Sequence, residues 1–191
     1  MGWHACVVQK GAMDMAVTYR EIAETDDRKV RKRFTSGEPV IDRYFRQFAL
    51  ENHQRRLNTT HIATSEGEIV GFVTTVVGSL KLPDELYERA KLPRYPMPVL
   101  LIAQLGVHVE NRGQGIGSAL VAFAVERAER LRETHGCMAV TTDPLNESAV
   151  RFYASLGFRA LPLVADPAVH RRPSMYIALA ELANVDRIVP P

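Results

Sequence analysis

Cysteine is scarce in this sequence: among 191 residues there are two, Cys6 and Cys137, far apart and without the spacing of a paired site. That excludes a disulfide framework and a thiolate zinc site as organising devices, and it points to a reducing compartment. Long apolar runs are also missing. No stretch approaches the roughly 18 to 20 consecutive apolar residues that a membrane-spanning helix requires, and the N-terminus lacks the basic segment, apolar stretch and cleavage site of a secretory signal. A cytoplasmic location without membrane contact is expected. Internal repeats and low-complexity tracts are absent as well.

What is present is enough apolar material, 46% of the residues, for one core, and chains of this length rarely hold two full domains. A single domain over residues 15–183 is expected, with tails at 1–14 and 184–191. The net charge of +2 conceals an asymmetry. Between Arg28 and Arg56 stand nine Lys and Arg (Arg28, Lys29, Arg31, Lys32, Arg33, Arg43, Arg46, Arg55, Arg56) against three acids, Glu38, Asp42 and Glu51. Solvated helix faces account for such a segment, and so does a footprint for a polyanion such as RNA.

The pattern of elements is that of an α/β protein with a mixed central sheet flanked by helices. Val17 to Ile22 reads as a strand, and Thr25-Asp-Asp opens a helix running to about Phe34. After the break at Ser36-Gly37-Glu38-Pro39, the spacing of Val40, Ile41, Tyr44, Phe45, Phe48 and Ala49 predicts one amphipathic helix ending near Leu57. His61 to Thr64 and Ile69 to Val77 form a hairpin across Ser65-Glu66-Gly67-Glu68. Pro83 to Pro98 reads as a loop over one face, with a turn or two of helix around Asp84 to Ala90. Val99 to Val109 is the most apolar strand and is expected at the centre of the sheet. A helix follows from Ile116 to a closing Gly136, then a strand at Cys137 to Thr142 and a helix at Glu147 to Leu156. Strands at Arg159 to Val164 and Ser174 to Ala180 complete the order.

Directly after the central strand stands Arg112-Gly113-Gln114-Gly115-Ile116-Gly117-Ser118, with a helix starting inside it. Amides at a helix N-terminus are unpaired, and glycines let an anion approach the backbone closely, so this turn can cradle a pyrophosphate, with Arg112 adding a positive charge. The glycine spacing does not match the dinucleotide fingerprint, no acid follows at the ribose-binding distance, and the Lys and Ser/Thr of a Walker loop are missing. The run from Leu105 through Gly117 resembles the acetyl-CoA signature of GNAT acetyltransferases. The resemblance implies that the amides from Gly113 to Ser118 hold the pyrophosphate and that Leu105, Gly106 and Val107 pair their backbone with the pantetheine arm.

A second stretch, Asp143 to Tyr153 ending in Gly157-Phe158, resembles the other GNAT signature, N-x-x-A-x-x-x-Y. Asn146 is by itself a good helix N-cap, and Tyr153 by itself a half-buried aromatic. The resemblance adds that Asn146 also contacts the coenzyme arm and that Tyr153 is the general acid that protonates the departing thiolate. No residue stands out as a base. His108 and Glu110, at the end of the central strand, are candidates, and a water relay or an amine of lowered pKa would make a dedicated base unnecessary. No metal is expected.

The segment from Phe34 to Ala49, with Gln54, Thr59 to Ala63 and Pro98 to Leu105, is similar to the GNAT toxins of type II toxin–antitoxin modules, and this likeness covers about Val17 to Leu182. It implies acetylation of the α-amine of an aminoacyl-tRNA, a block of translation, and a ribbon-helix-helix antitoxin as partner. The basic segment Arg28 to Arg56 would then meet tRNA phosphates, and a homodimer would widen that surface. Gln104, Gly106 and His108 depart from the toxin strand. A GNAT enzyme acting on a protein N-terminus, a lysine or a small amine, and a non-catalytic coenzyme-binding or partner-binding module, are the alternatives.

Overall fold

The computed structural model describes residues 17–26, 28–82, 84–89, 94–161 and 174–179. Its strands are β1 (Thr18–Glu21), β2 (Thr59–Ser65), β3 (Glu68–Leu80), β4 (Met97–Val107), β5 (Ala139–Thr142), β6 (Arg159–Ala160) and β7 (Met175–Ala178). Its helices are α1 (Arg28–Arg33), α2 (Pro39–Gln47), α3 (Ala49–Gln54), α4 (Asp84–Arg89), α5 (Ile116–His135) and α6 (Glu147–Ser155). The strands form one sheet in the order β1-β2-β3-β4-β5-β7-β6. Only the β4–β5 pair is parallel, so the sheet is mixed, as the sequence implied.

Alternation along the strands divides the interior into two cores. Ile62 and Phe72 join Phe34, Phe45 and Ala49 under α1 to α3. Their neighbours Ala63 and Val73 join Leu120, Ala124, Val140 and Tyr153 under α5 and α6. The β2–β3 turn places Glu66 at φ 52° and Gly67 at φ 83°, the paired left-handed residues of a two-residue hairpin whose twist suits its strands.

Four sequence expectations need correction. The first helix begins at Arg28 rather than Thr25, because the Asp26 carboxylate folds back to accept from the Ala23 amide at 2.9 Å and to pair with Arg20 at 2.6 Å. The long helix from Val40 to Leu57 is two helices broken at Phe48, whose φ of −117° departs from the regular helical value near −63°. Here α2 packs on β4 and α3 on β2, and the break turns the chain from one to the other across the twisted sheet. The central strand stops at Val107, two residues early, because the Val109 amide donates to the Thr35 carbonyl at 2.9 Å and leaves the sheet. The strand expected at Arg159 to Val164 spans only Arg159–Ala160, and most of its remainder lies outside the described residues, as do the two expected tails.

Candidate active site

The site lies where the sheet opens. β4 and β5 pair from Val99–Ala139 to Ile102–Thr142. There β5 ends, while β4 continues to Val107, bonded only to β3 on its other side. No strand among the described residues covers the β5-facing edge from Ala103 to Val107, so its amides and carbonyls face an opening. The register slips between Thr74–Gln104 and Thr75–Ile102, leaving Ala103 as the extra residue of a bulge, and a bulge bends its strand away from its neighbour.

Two helix N-termini flank this opening. α5 begins after Gly115, which takes the N-cap position at φ 81° and offers no side-chain cap. The amides of Ile116, Gly117 and Ser118 are therefore left to an outside acceptor, with the helix dipole favouring an anion. A Cβ at Gly113 or Gly115 would meet nothing within 4 Å, although both have positive φ. Those glycines serve the backbone turn and leave open space above it, which suits a pyrophosphate. Gly117 serves packing: a Cβ there would lie 3.3 Å from the Phe152 ring and 3.5 Å from Val107. The Ile116 side chain is buried in the core, so only its backbone is available to a ligand. Gln114 is exposed at the crest of the loop. Leu105 and Val107 pack towards α5 and α6. Gly106 faces the other way, where a Cβ would come within 2.6 Å of Phe72 and 3.0 Å of Ile41.

The Arg112 guanidinium is placed differently from the expectation that it faces the anion. It donates to the Ser36 carbonyl and lies against Gly37, tying the phosphate loop to the turn before α2. That turn is held in its own right by Asp42, whose carboxylate accepts from the Ser36 amide and hydroxyl at 2.6 Å each and from Thr35 at 3.0 Å. Burial alone would raise the Asp42 pKa, but these donors and nearby Arg46 hold it below the usual carboxylate value.

α6 begins at Asn146, whose Oδ1 accepts from the Ala149 amide at 2.9 Å. Its Nδ2 donates to Glu38 Oε1, also at 2.9 Å, across 108 residues of sequence. Two helical turns on, Tyr153 is buried between Phe152 and Phe158 at 5.2 Å from each ring. Burial pushes its phenol up to about 12, against a hydrogen bond with the Thr142 side chain. Thr142 in turn donates to the Ile102 carbonyl at 3.2 Å, which puts the phenol beside the last paired residues of β4 and β5.

The loop from Gly113 to Ser118 thus follows the open edge of β4, Tyr153 is linked through Thr142 to the strand ends where that edge begins, and Asn146 opens the helix that carries Tyr153. His108 does not join Tyr153: its half-buried ring lies edge-on to Phe34 at 5.9 Å, against the core on the opposite face of the sheet. Glu110 is exposed on the short turn Val109–Asn111. Sequence reasoning passed over Glu38 and Thr142. No local pattern links Glu38 to Asn146, and a threonine closing a strand carries no signal until the strand ends are known. Among the described residues no group of side chains is arranged to hold a metal ion, and no helix is long and apolar enough to cross a membrane.

The chain is 31% identical over 143 residues to a tRNA-acetylating toxin of Mycobacterium tuberculosis, a match covering 75% of this chain and 84% of that protein. Its fold matches AtaT complexed with acetyl-methionyl-tRNAfMet at a TM-score of 0.73 and 21% identity, covering 91% of this chain and 99% of that one. A mutant of KacT matches at a TM-score of 0.74 and 18% identity, with coverages of 91% and 99%. The model of the acetyltransferase (GNAT) family matches residues 20–158, a span that holds the phosphate loop, both strand ends and Tyr153, and the chain therefore belongs to the GNAT family of acetyltransferases.

Proposed function

We propose that this protein is an acetyl-CoA-dependent N-acetyltransferase that blocks translation by acetylating the α-amine of aminoacyl-tRNA in the cytoplasm. The choice of acceptor rests on the match to the tRNA-acetylating toxin over three quarters of the chain. The opening supports the chemistry. Amides from Gly113 to Ser118 would hold the pyrophosphate, with Arg112 bracing their loop against Ser36, the backbone of Leu105, Gly106 and Val107 would pair with the coenzyme arm, and Asn146 would steady it. Acetyl-CoA supplies an activated thioester. Tyr153, a neutral phenol at physiological pH with its pKa pushed further up to about 12 by burial, would donate its proton to the departing sulfur.

Two of the nine cations in the basic segment are used inside the fold. Arg31 is buried and donates to the Asp26 carbonyl, and Arg46 donates to the Phe34 carbonyl at 2.7 Å. Arg28, Lys29, Lys32, Arg33, Arg43, Arg55 and Arg56 are exposed, and their charge would attract phosphates. Pairing of two copies would widen this surface, and an antitoxin partner would restrain it.

The deciding experiment incubates the protein with labelled acetyl-CoA and total charged tRNA, digests with nuclease and looks for label on aminoacyl adenosine. Expression of the chain alone should also arrest growth, with relief by a small protein encoded beside it. Label only on proteins or small amines, with no growth defect, would overturn the aminoacyl-tRNA reading.

A further inference from the structure

An amine that attacks a thioester must first lose a proton, and neither His108 nor Glu110 is placed beside Tyr153. The Glu38 carboxylate, by contrast, reaches the start of α6, the helix that carries Tyr153. Although Glu38 occupies the N-cap position of α2, its side chain makes no capping bond to that helix and instead accepts from Asn146 Nδ2 at 2.9 Å. The other acids nearby are less suited. Asp143 accepts from Ser174, while Glu110 and Glu147 are exposed. Glu38 is half-buried, with one carboxylate oxygen fixed by Asn146.

The two faces of the sheet divide the remaining work. Tyr153 belongs to the core under α5 and α6, whereas Glu38 approaches from the side of α2, whose Ile41 packs towards Gly106 and Phe72. Gln104 lies two residues before Gly106, on that same face by strand alternation, and its Oε1 is buried without a hydrogen-bond partner in the protein. A thioester placed between β4 and β5 would thus meet a carboxylate and an amide oxygen on one side and a phenol on the other. An ammonium group calls for acceptors of this kind.

We propose that Glu38 is the acceptor-side catalytic carboxylate, which binds the substrate ammonium and takes its first proton. This rests on the acetyl-transfer reading above, though not on tRNA as the acceptor. The freed lone pair attacks the thioester carbonyl, the C–N bond forms and the C–S bond breaks. The departing sulfur takes the Tyr153 proton, the second proton of the nitrogen restores the phenol, and Glu38 releases its proton to solvent. The products are the amide and the free thiol.

The test uses Glu38→Gln, whose amide oxygen can still accept from Asn146 and so preserves the contact between helices. Two amine probes are used: total charged tRNA, and α-amino acid methyl esters that carry the same amine without RNA. With the esters, kcat/KM for the amine should fall by about ten- to a hundredfold, the worth of a charge-assisted contact, while the Kd for acetyl-CoA stays within about twofold. Glu38→Asp should recover part of the loss, and added formate should partly rescue Glu38→Ala. An unchanged amine kcat/KM, or a loss matched by weaker acetyl-CoA binding, would overturn the proposal and leave Glu38 as a strut for Asn146. Transfer to esters but not to charged tRNA would refute the tRNA acceptor while the Glu38 comparison still stood.

Discussion

Replacing Tyr153 with phenylalanine removes one oxygen from a side chain that is 4% exposed, so its structural and chemical consequences can be separated. Structurally, the ring contacts with Phe152 and Phe158 persist, and Thr142 keeps its bond to the Ile102 carbonyl. Only the phenol–Thr142 hydrogen bond is lost, worth about 0.5–1.5 kcal/mol. The fold should survive with a small drop in melting temperature. Chemically, removing a positioned general acid costs about 100-fold or more in kcat, roughly 2.7 kcal/mol of barrier. Because the phenol is held at about 12, the acid remains protonated through neutral and mildly alkaline pH. The wild-type rate should therefore show no loss from tyrosine ionisation below about pH 10. Kinetics under saturating amine, with calorimetry for acetyl-CoA, distinguish the terms: kcat should collapse while coenzyme affinity is nearly unchanged. A phenylalanine variant with full turnover would refute the assignment and leave Tyr153 as a packing residue. A loss of kcat matched by loss of coenzyme binding would refute it as well.

Gly115→Glu and Gly117→Glu should each abolish measurable acetyl-CoA binding by calorimetry, the first by forcing a side chain into φ 81° above the cradle, the second by driving into Phe152; unchanged affinity in both would put the anion site elsewhere. His61 is buried against Phe123, with Glu21, His53 and Arg127 around it, and burial, the leading cause, lowers its pKa to about 4. The unfolded chain binds that proton near pH 6.5, so the contribution to stability is complete above 6.5 and is lost as pH falls towards 4, by on the order of 3 kcal/mol. Denaturant midpoints should show that loss, and His61→Phe should flatten it. Neutralising Arg55 with Arg56, or Lys32 with Arg33, should weaken tRNA binding and reduce its log–log salt slope by at most about two, sparing acetyl-CoA affinity. The surface pairs of Arg33 with Glu68 and Arg55 with Glu51 are too weak to withhold these cations.

The legible parts of this molecule were those determined by local periodicity or by short-range backbone need. The glycine turn after β4, the twenty-residue helix closed by Gly136 and the Asn146 cap all follow from neighbours in sequence, and each stands where it was expected. The boundaries that shifted were set by distant partners. Val107 ends its strand because Thr35 captures the next free amide, and Phe48 breaks a helix because two stretches of chain rest on different strands. Arg112 was legible as a charge beside an anion cradle, but not as the residue that reaches Ser36, 76 positions away. The same limit hid Glu38, whose partner lies 108 residues on.

These long-range ties bear on how the site works as a unit. Asp42 gathers the turn before α2 through three hydrogen bonds, Arg112 fastens that turn to the phosphate loop, and Glu38 fastens its far end to the start of α6. The acceptor-side wall is therefore anchored at both ends to elements that border the coenzyme opening, rather than standing as an independent loop. Each tie is a polar contact between partly buried groups, where a lost partner costs more than in water. On the proposed mechanism the free edge of β4 would also separate attack from departure, with the acceptor-side carboxylate on the face of α2 and the acid for the leaving sulfur on the face of α6. The bulge at Ala103, an irregularity of the β3–β4 pairing, falls directly after the last residue of β4 that β5 pairs, so β4 bends where its free edge begins.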